Sequence, residues 1–151
     1  MVFDRASQSI SHSTFTHLGE FLPENAVLVL NETKVIPARL PLVRSTGGVV
    51  PVLVLEQVKG GLVDVLAPKK LTIGEVLHIQ GTDITFTVFE AHGKSWLLQP
   101  SVEADDIPAI LQKYGAAPLP PYIKHSHLSP KEQRDEYQAI FAKNPGSIAA
   151  P

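Results

Sequence analysis

"VVPVLVLEQVKGGLVDVLA", residues 49–67, is the stretch on which the fold turns. "VVPVLVLEQV" (49–58) has the valine and leucine content of a strand, and Pro51 sits near its start, where a missing N–H does least harm. "KGG" (59–61) fits a hairpin turn, and "LVDVLA" (62–67) reads as the returning strand. Working outward, "STGG" (45–48) is another turn signal. Before it, Pro37 in "ETKVIPARL" confines any strand to an edge or an end. "NAVLVLN" (25–31) is a continuous apolar run and predicts a buried strand. Downstream, "PKKLTIG" is a loop ending at Gly74, and "EVLHI" (75–79) and "DITFTVFE" (83–90) flank the turn "QGT". In the second of these, Ile84, Phe86 and Val88 point one way and Thr85 and Thr87 the other. "AHGK" (91–94) turns the chain into "SWLLQ" (95–99). Short strands at this spacing predict a mainly β (α+β) fold: a small antiparallel β-barrel-like domain of about six strands, followed by two short helices.

The first helix lies in "ADDIPAILQKYG", where Ile107, Ile110, Leu111 and Tyr114 share one face. Asp105 or Asp106 is placed to cap it, Pro108 is tolerable in its first turn, and Gly115 falls where a left-handed C-terminal residue belongs. The second opens at "SPKE" (129–132), with Ser129 as N-cap, Pro130 first and Glu132 completing a capping box. Its expected buried face is Tyr137, Ile140 and Phe141, and its expected stop is "NPG" (144–146). Between the helices lies "PLPPYIK" (118–124). Its three prolines fix φ and remove three backbone donors, so the stretch is stiff, extended and closed to either helix.

The chain has 151 residues, a formal net charge of -2 and no cysteine. That length suffices for a domain burying roughly 70% of its unfolded surface. The absence of cysteine excludes disulfides, thiolate nucleophiles and cysteine–zinc sites, and is compatible with a reducing cytoplasm. The charge shows no basic excess for a polyanion, although a local basic stripe can hide within a neutral total. No apolar run reaches the ~18 residues of a membrane span, and "MVFDRASQ" lacks the apolar core of a signal peptide. "MVFDR" reads like the middle of a strand and "NPGSIAAP" stops on small apolar residues, so the expectation is a cut chain.

Motifs of independent chemical meaning are few. There is no GxGxxG, Walker loop or GxSxG. "HSH" (125–127) and the pair His12 and His17 lack a third ligand at usable spacing, so no metal site is expected. Asp105 and Asp106 read as helix caps before they read as an acid pair. Lys69 and Lys70 are loop lysines, and Trp96 and the phenylalanines are core candidates.

Three longer stretches say more: "LVLNETKVIPARL" (28–40), "GAAPLPPYI" (115–123) and "YQAIFAKNPGSIAAP" (137–151). In this order and at these distances they closely resemble the S-adenosylmethionine:tRNA ribosyltransferase-isomerase family of queuosine biosynthesis, and the resemblance runs from "MVFDR" to Pro151. Two departures stand out. Gln133 replaces an acidic residue often found four before the tyrosine of "YQ", and Ala116 or Ala117 replaces a frequent histidine, which puts a catalytic role for that position in doubt.

The resemblance implies an enzyme that transfers and isomerises the ribosyl part of S-adenosylmethionine onto 7-aminomethyl-7-deazaguanine at the wobble position of tRNA. The product is epoxyqueuosine, and adenine and methionine leave. S-adenosylmethionine is then a consumed substrate, with no metal or other cofactor, and tRNAs of the G-U-N anticodon type, a monomeric state and a cytoplasmic location are implied. A base must remove a proton beside the sulfonium, and the family motifs do not say which residue it is. The chain is expected to be part of a larger two-domain α/β plus all-β enzyme and inactive alone. Residues 1–40 would belong to the larger catalytic domain, 41–101 would form the antiparallel β-domain, and 102–151 would form a two-helix segment with a proline-rich connector returning to the catalytic domain. The alternative is a non-catalytic β-barrel module binding RNA or a protein partner.

The substrate-binding candidates follow from residue type within those stretches. Arg39 suits bidentate binding of a carboxylate or phosphate and Lys34 a point contact. Asn31 either caps a turn or binds a ribose hydroxyl, and Thr33 reads as a turn residue. Tyr122 either stacks on a nucleobase or packs beneath the proline strut, and Lys124 would meet tRNA phosphate. Tyr137 and Gln138 sit on the second helix, Tyr137 on its apolar face. Gly146, Ala149, Ala150 and Pro151 are small enough to let backbone approach a ligand.

Overall fold

The computed structural model describes residues 1–57, 60–120, 123 and 127–147. The chain divides into two compact units, Met1–Leu30 and Asn31–Pro151.

In the first unit, β1 (Val2–Asp4) pairs antiparallel with β2 (Ser9–Ser11), and a 3-10 helix follows over Phe15–Phe21. The hairpin is closed locally: Asp4 Oδ1 accepts the Ser7 N–H at 2.8 Å, and these hydrogen bonds hold the Asp4 carboxyl below its ordinary value. The expected strand at 25–31 does not form. Those residues join no ladder among the described residues, and Val27 and Val29 are 87% and 93% exposed. A run apolar on both faces makes a strand only when sheet neighbours satisfy its backbone and cover its sides. Here it has neither.

The second unit opens with β3 (Thr33–Val35), and Pro37 separates it from β4 (Arg39–Arg44). Then come β5 (Val49–Gln57), β6 (Val63–Leu66), β7 (Val76–Ile79), β8 (Thr85–His92) and β9 (Ser95–Pro100). Strands β4 to β9 close into a barrel in the order β4-β5-β6-β9-β8-β7, every pair antiparallel. The six-stranded antiparallel barrel is therefore as the sequence indicates. The period of two explains it. Leu40 and Leu42, Val50 and Val52, Val63 and Val65, Leu77 and Ile79, and Phe86 and Val88 all point into one core. Pro41 and Pro51 face each other across β4 and β5, at a level where β7 and β6 have not yet joined, so neither missing N–H breaks a second ladder.

The barrel's ends are plugged by different means. The loop from β6 to β7 buries Leu71 in the core. At the opposite end, α1 (Ile107–Tyr114) inserts Ile107, Ile110 and Leu111. The buried polar side chains among the described residues are Asp64 and Ser95. His92 Nδ1 lies 3.2 Å from Asp64 Oδ2 and Ser95 Oγ donates to the His92 carbonyl, which ties the β8–β9 turn back to β6.

The helix boundaries depart from expectation in three places. Neither aspartate caps α1 with its side chain; a 3-10 turn over Ala104–Asp106 runs straight into the helix and takes the capping position into helical geometry. Gly115 is extended (φ -77, ψ 159), not left-handed. Its glycine is required by contact: a Cβ there would lie 1.9 Å from the Pro37 carbonyl oxygen and 2.4 Å from that of Leu111. The helix α2 (Pro130–Glu136) has the expected capping box, with Ser129 and Glu132 each bonded to the other's backbone N–H, and this holds the Glu132 carboxyl below its ordinary value. But α2 ends at Glu136. Tyr137 leaves helical geometry (φ -86, ψ 45), Ile140 is 78% exposed, and Tyr137 and Phe141 are only partly buried. The chain instead forms β10 (Asn144–Ser147), which pairs parallel with β3. That pairing lies beyond the helix end; just past the end itself, Gln138 spends its side-chain amide on the Val35 backbone.

Candidate functional site

The first and third stretches are laced together by short contacts. The Lys143 and Asn144 N–H groups both donate to the Glu32 carbonyl, and Asn144 Nδ2 donates to Glu32 Oε1 at 2.8 Å. Gln138 acts as a piece of strand: its Oε1 accepts the Val35 N–H at 2.8 Å and its Nε2 donates to the Val35 carbonyl at 3.0 Å and to the Arg134 carbonyl at 3.1 Å. One amide side chain thereby satisfies both backbone groups of Val35, which a polar residue of any other shape would leave unpaired.

The second stretch is fastened to the first through Arg39. Its backbone exchanges hydrogen bonds with Ala116 in both directions, and its Nη2 donates to the Leu119 carbonyl at 3.0 Å. Arg134 Nη1 donates to the Gly115 carbonyl at 3.1 Å, tying α2 to the same strut. The proline segment is thus held at Leu119 and, just before its start, at Gly115.

The three stretches meet around a cleft of about 100 Å³. The first contributes Lys34 to Pro37, the second Ala117 and Pro118, and the third Tyr137 and Gln138; Arg134 and Asp135 from α2 and Gln112 from α1 complete the wall. Of the sequence candidates, the structure brings Lys34, Tyr137 and Gln138 together here. Gln138 is occupied with backbone, while Lys34 is exposed beside the cleft. Arg39 lies elsewhere, beside an apolar depression on the barrel with Pro51, Leu53 and Leu66. Asn31 caps the turn before β3, its Oδ1 accepting the Thr33 N–H at 2.6 Å. Thr33 begins β3 and pairs with Asn144. Gly146 sits in β10 at the register shift between the paired Pro145 and Ser147, and an added Cβ there would meet only Thr33 Cγ2 at an ordinary 3.8 Å. Tyr122, Lys124, Ala149, Ala150 and Pro151 lie outside the described residues. Lys69, one of the two loop lysines, donates to the Val49 carbonyl. Among the described residues, no group of three or more His, Asp or Glu side chains is arranged to hold a metal.

Sequence reasoning missed Gln112, Arg134 and Asp135. The only available signal was position: Arg134 and Asp135 lie in α2 just before the "YQ" that opens the third stretch.

The family model described as "Queuosine biosynthesis protein" matches residues 1–151. The chain belongs to the queuosine biosynthesis protein family. Curated relatives within reach of this family member carry the name S-adenosylmethionine:tRNA ribosyltransferase-isomerase. The one from Chlorobaculum parvum is 36% identical over 151 residues, and that from Rubrobacter xylanophilus is 41% identical over 153. Both alignments cover 100% of this chain and 43% of the relative, so the chain spans under half the length of these relatives. A crystal structure of S-adenosylmethionine tRNA ribosyltransferase from Thermotoga maritima matches at 25% identity and a TM-score of 0.42, over 80% of this chain and 42% of that one. Among the described residues, no helix is long and apolar enough to cross a membrane.

Proposed function

We propose that this queuosine-family chain is part of a tRNA-modifying transferase that moves the ribosyl group of S-adenosylmethionine, with isomerisation, onto 7-aminomethyl-7-deazaguanine at the tRNA wobble position. The observation that carries the reading is the meeting of three separate stretches around one cleft, with contacts 80 and 103 positions apart in sequence. A barrel that only bound a partner through its walls would not need Val35, Gln138, Arg39 and Leu119 bonded across that span. S-adenosylmethionine is the consumed substrate, tRNA of the G-U-N anticodon type is the acceptor, and no metal or other cofactor takes part. The enzyme works as a cytoplasmic monomer. The barrel is an insertion, and residues 1–40 and 102–151 lead out of and back into a larger catalytic domain. The exposed apolar run at 27–30 and the share of the relatives' length that the chain spans both support that arrangement.

The test uses the full-length protein of the same gene and the 151-residue chain side by side. Each is given S-adenosylmethionine and tRNA bearing 7-aminomethyl-7-deazaguanine, and adenine release and nucleoside masses are followed. Epoxyqueuosine from the full-length protein only is the expected result. No product from the full-length protein overturns the reading.

A further inference from the structure

The cleft where the three stretches meet holds two ionic side chains that the fold does not use. Lys34 and Asp135 both line it and both are exposed. Among the described residues neither has a hydrogen-bond or ion-pair partner, and they are not paired with each other. Their neighbours are engaged: Arg134 holds the Gly115 carbonyl, and the Gln138 amide is taken up by Val35 and the Arg134 carbonyl. What remains available to a ligand is the Lys34 ammonium and the Asp135 carboxylate, beside an Arg134 guanidinium that gives one N–H to a neutral carbonyl and keeps its charge.

Size narrows the choice. Sites for whole drug-sized ligands occupy ~300–1,000 Å³. A cleft of about 100 Å³ admits one end of such a molecule. Charge narrows it further. A neutral base would leave both side chains unpaired. An RNA phosphate would suit Lys34 and Arg134 but would leave the Asp135 carboxylate unpaired beside a like charge. A zwitterion satisfies both, with a charge-assisted hydrogen bond at each end.

We propose that this cleft binds the α-amino-acid end of S-adenosylmethionine, with Lys34 Nζ donating to the carboxylate and the Asp135 carboxylate accepting from the ammonium. The assignment rests on the transferase reading above. It makes methionine, which leaves carrying that same end, a second ligand of the cleft, and it leaves the adenosyl part to project out of the cleft.

The test is made on the full-length protein. Steady-state rates are measured over a range of S-adenosylmethionine at saturating tRNA. Binding of L-methionine is compared calorimetrically with that of 3-(methylthio)propylamine, which lacks the carboxylate. Lys34→Ala is expected to raise KM for S-adenosylmethionine about tenfold or more with kcat within about twofold of wild type. Wild type should prefer methionine to the amine by about tenfold, and Lys34→Ala should lose that preference. Asp135→Asn should raise KM comparably and keep the preference, because the ammonium is present in both ligands. The comparison is internal to each variant, so partial misfolding weakens both ligands alike and cannot imitate the result. If wild type makes product while both variants keep KM and the methionine preference unchanged, the assignment is overturned and the transferase reading stands. If wild type makes no product, the reading falls and the assignment with it.

Discussion

At the scale of single residues, Gly115 is the position where the fold leaves least room. It joins α1 to the proline strut while the Pro37 and Leu111 carbonyls close over its Cα. Its φ of -77 is open to any L-residue, so the cost of a side chain there is purely steric. Gly115→Ala should destabilise by about 3 kcal/mol or more, beyond ordinary overpacking, because both obstacles are backbone. For a domain of this size that corresponds to a fall in Tm of about 6–12 °C. Gly47→Ala is the control: its φ is +85 with nothing near the added Cβ, so it should cost about 1 kcal/mol from backbone conformation alone. Equal melting points for the two variants would mean that Gly115 does not pack against Pro37 as described. The sequence places a glycine here for a reason it cannot display. A turn glycine and a contact glycine look the same until Pro37, 78 positions away in the chain, is brought beside it.

Among the elements, legibility followed the range of the forces. The strands of the barrel were readable because their alternation is a local pattern, and Phe86 and Val88 face inward as it dictates. The start of α2 was readable because a capping box needs only residues 129–132. Its end was not: Tyr137 leaves helical geometry where the next residue, Gln138, bonds the Val35 backbone, 103 positions back in the chain. The cleft was half legible for the same reason: Lys34, Tyr137 and Gln138 stood in motif stretches, whereas Gln112 and Asp135 reach it only through tertiary packing. The capping box also makes a pH prediction. The hydrogen bonds from Ser129 depress the Glu132 carboxyl in the folded state. A depressed carboxyl contributes stability above its unfolded value and loses it as pH falls through the folded one. So α2 should fray in acid, below the ordinary value of 4.5, and less steeply in Glu132→Gln, which has no proton to gain. Amide exchange of Gln133 and Arg134 against pH reads this directly. Parallel profiles for the two proteins would show that the box is not formed in solution.

For the whole molecule, the telling feature is uncovered apolar surface. Val27, Leu28, Val29 and Leu30 follow one another in the chain, and each is exposed by 46% or more. Single exposed apolar side chains are ordinary, but a contiguous run marks a surface that something covers. Burying each such side chain contributes about 1.5–3 kcal/mol, so a covered run would hold this segment firmly in place. If the segment is a strand of the larger catalytic domain, its amides in the full-length protein should exchange as slowly as those of β5, and Val29→Asp should cost about 2 kcal/mol or more through a buried, unpaired charge. In the 151-residue chain the same amides should exchange within the fast fraction, and Val29→Asp should leave the melting of the barrel unchanged while reducing self-association. The barrel supplies an internal standard in both measurements, since its core of Leu40, Val52, Val65 and Phe86 is complete in either length of chain. Fast exchange at 27–30 in the full-length protein would separate these residues from any sheet. The leading segment would then be a surface strand seeking a partner molecule, and the division of the chain between a barrel and a larger catalytic domain would have to be redrawn.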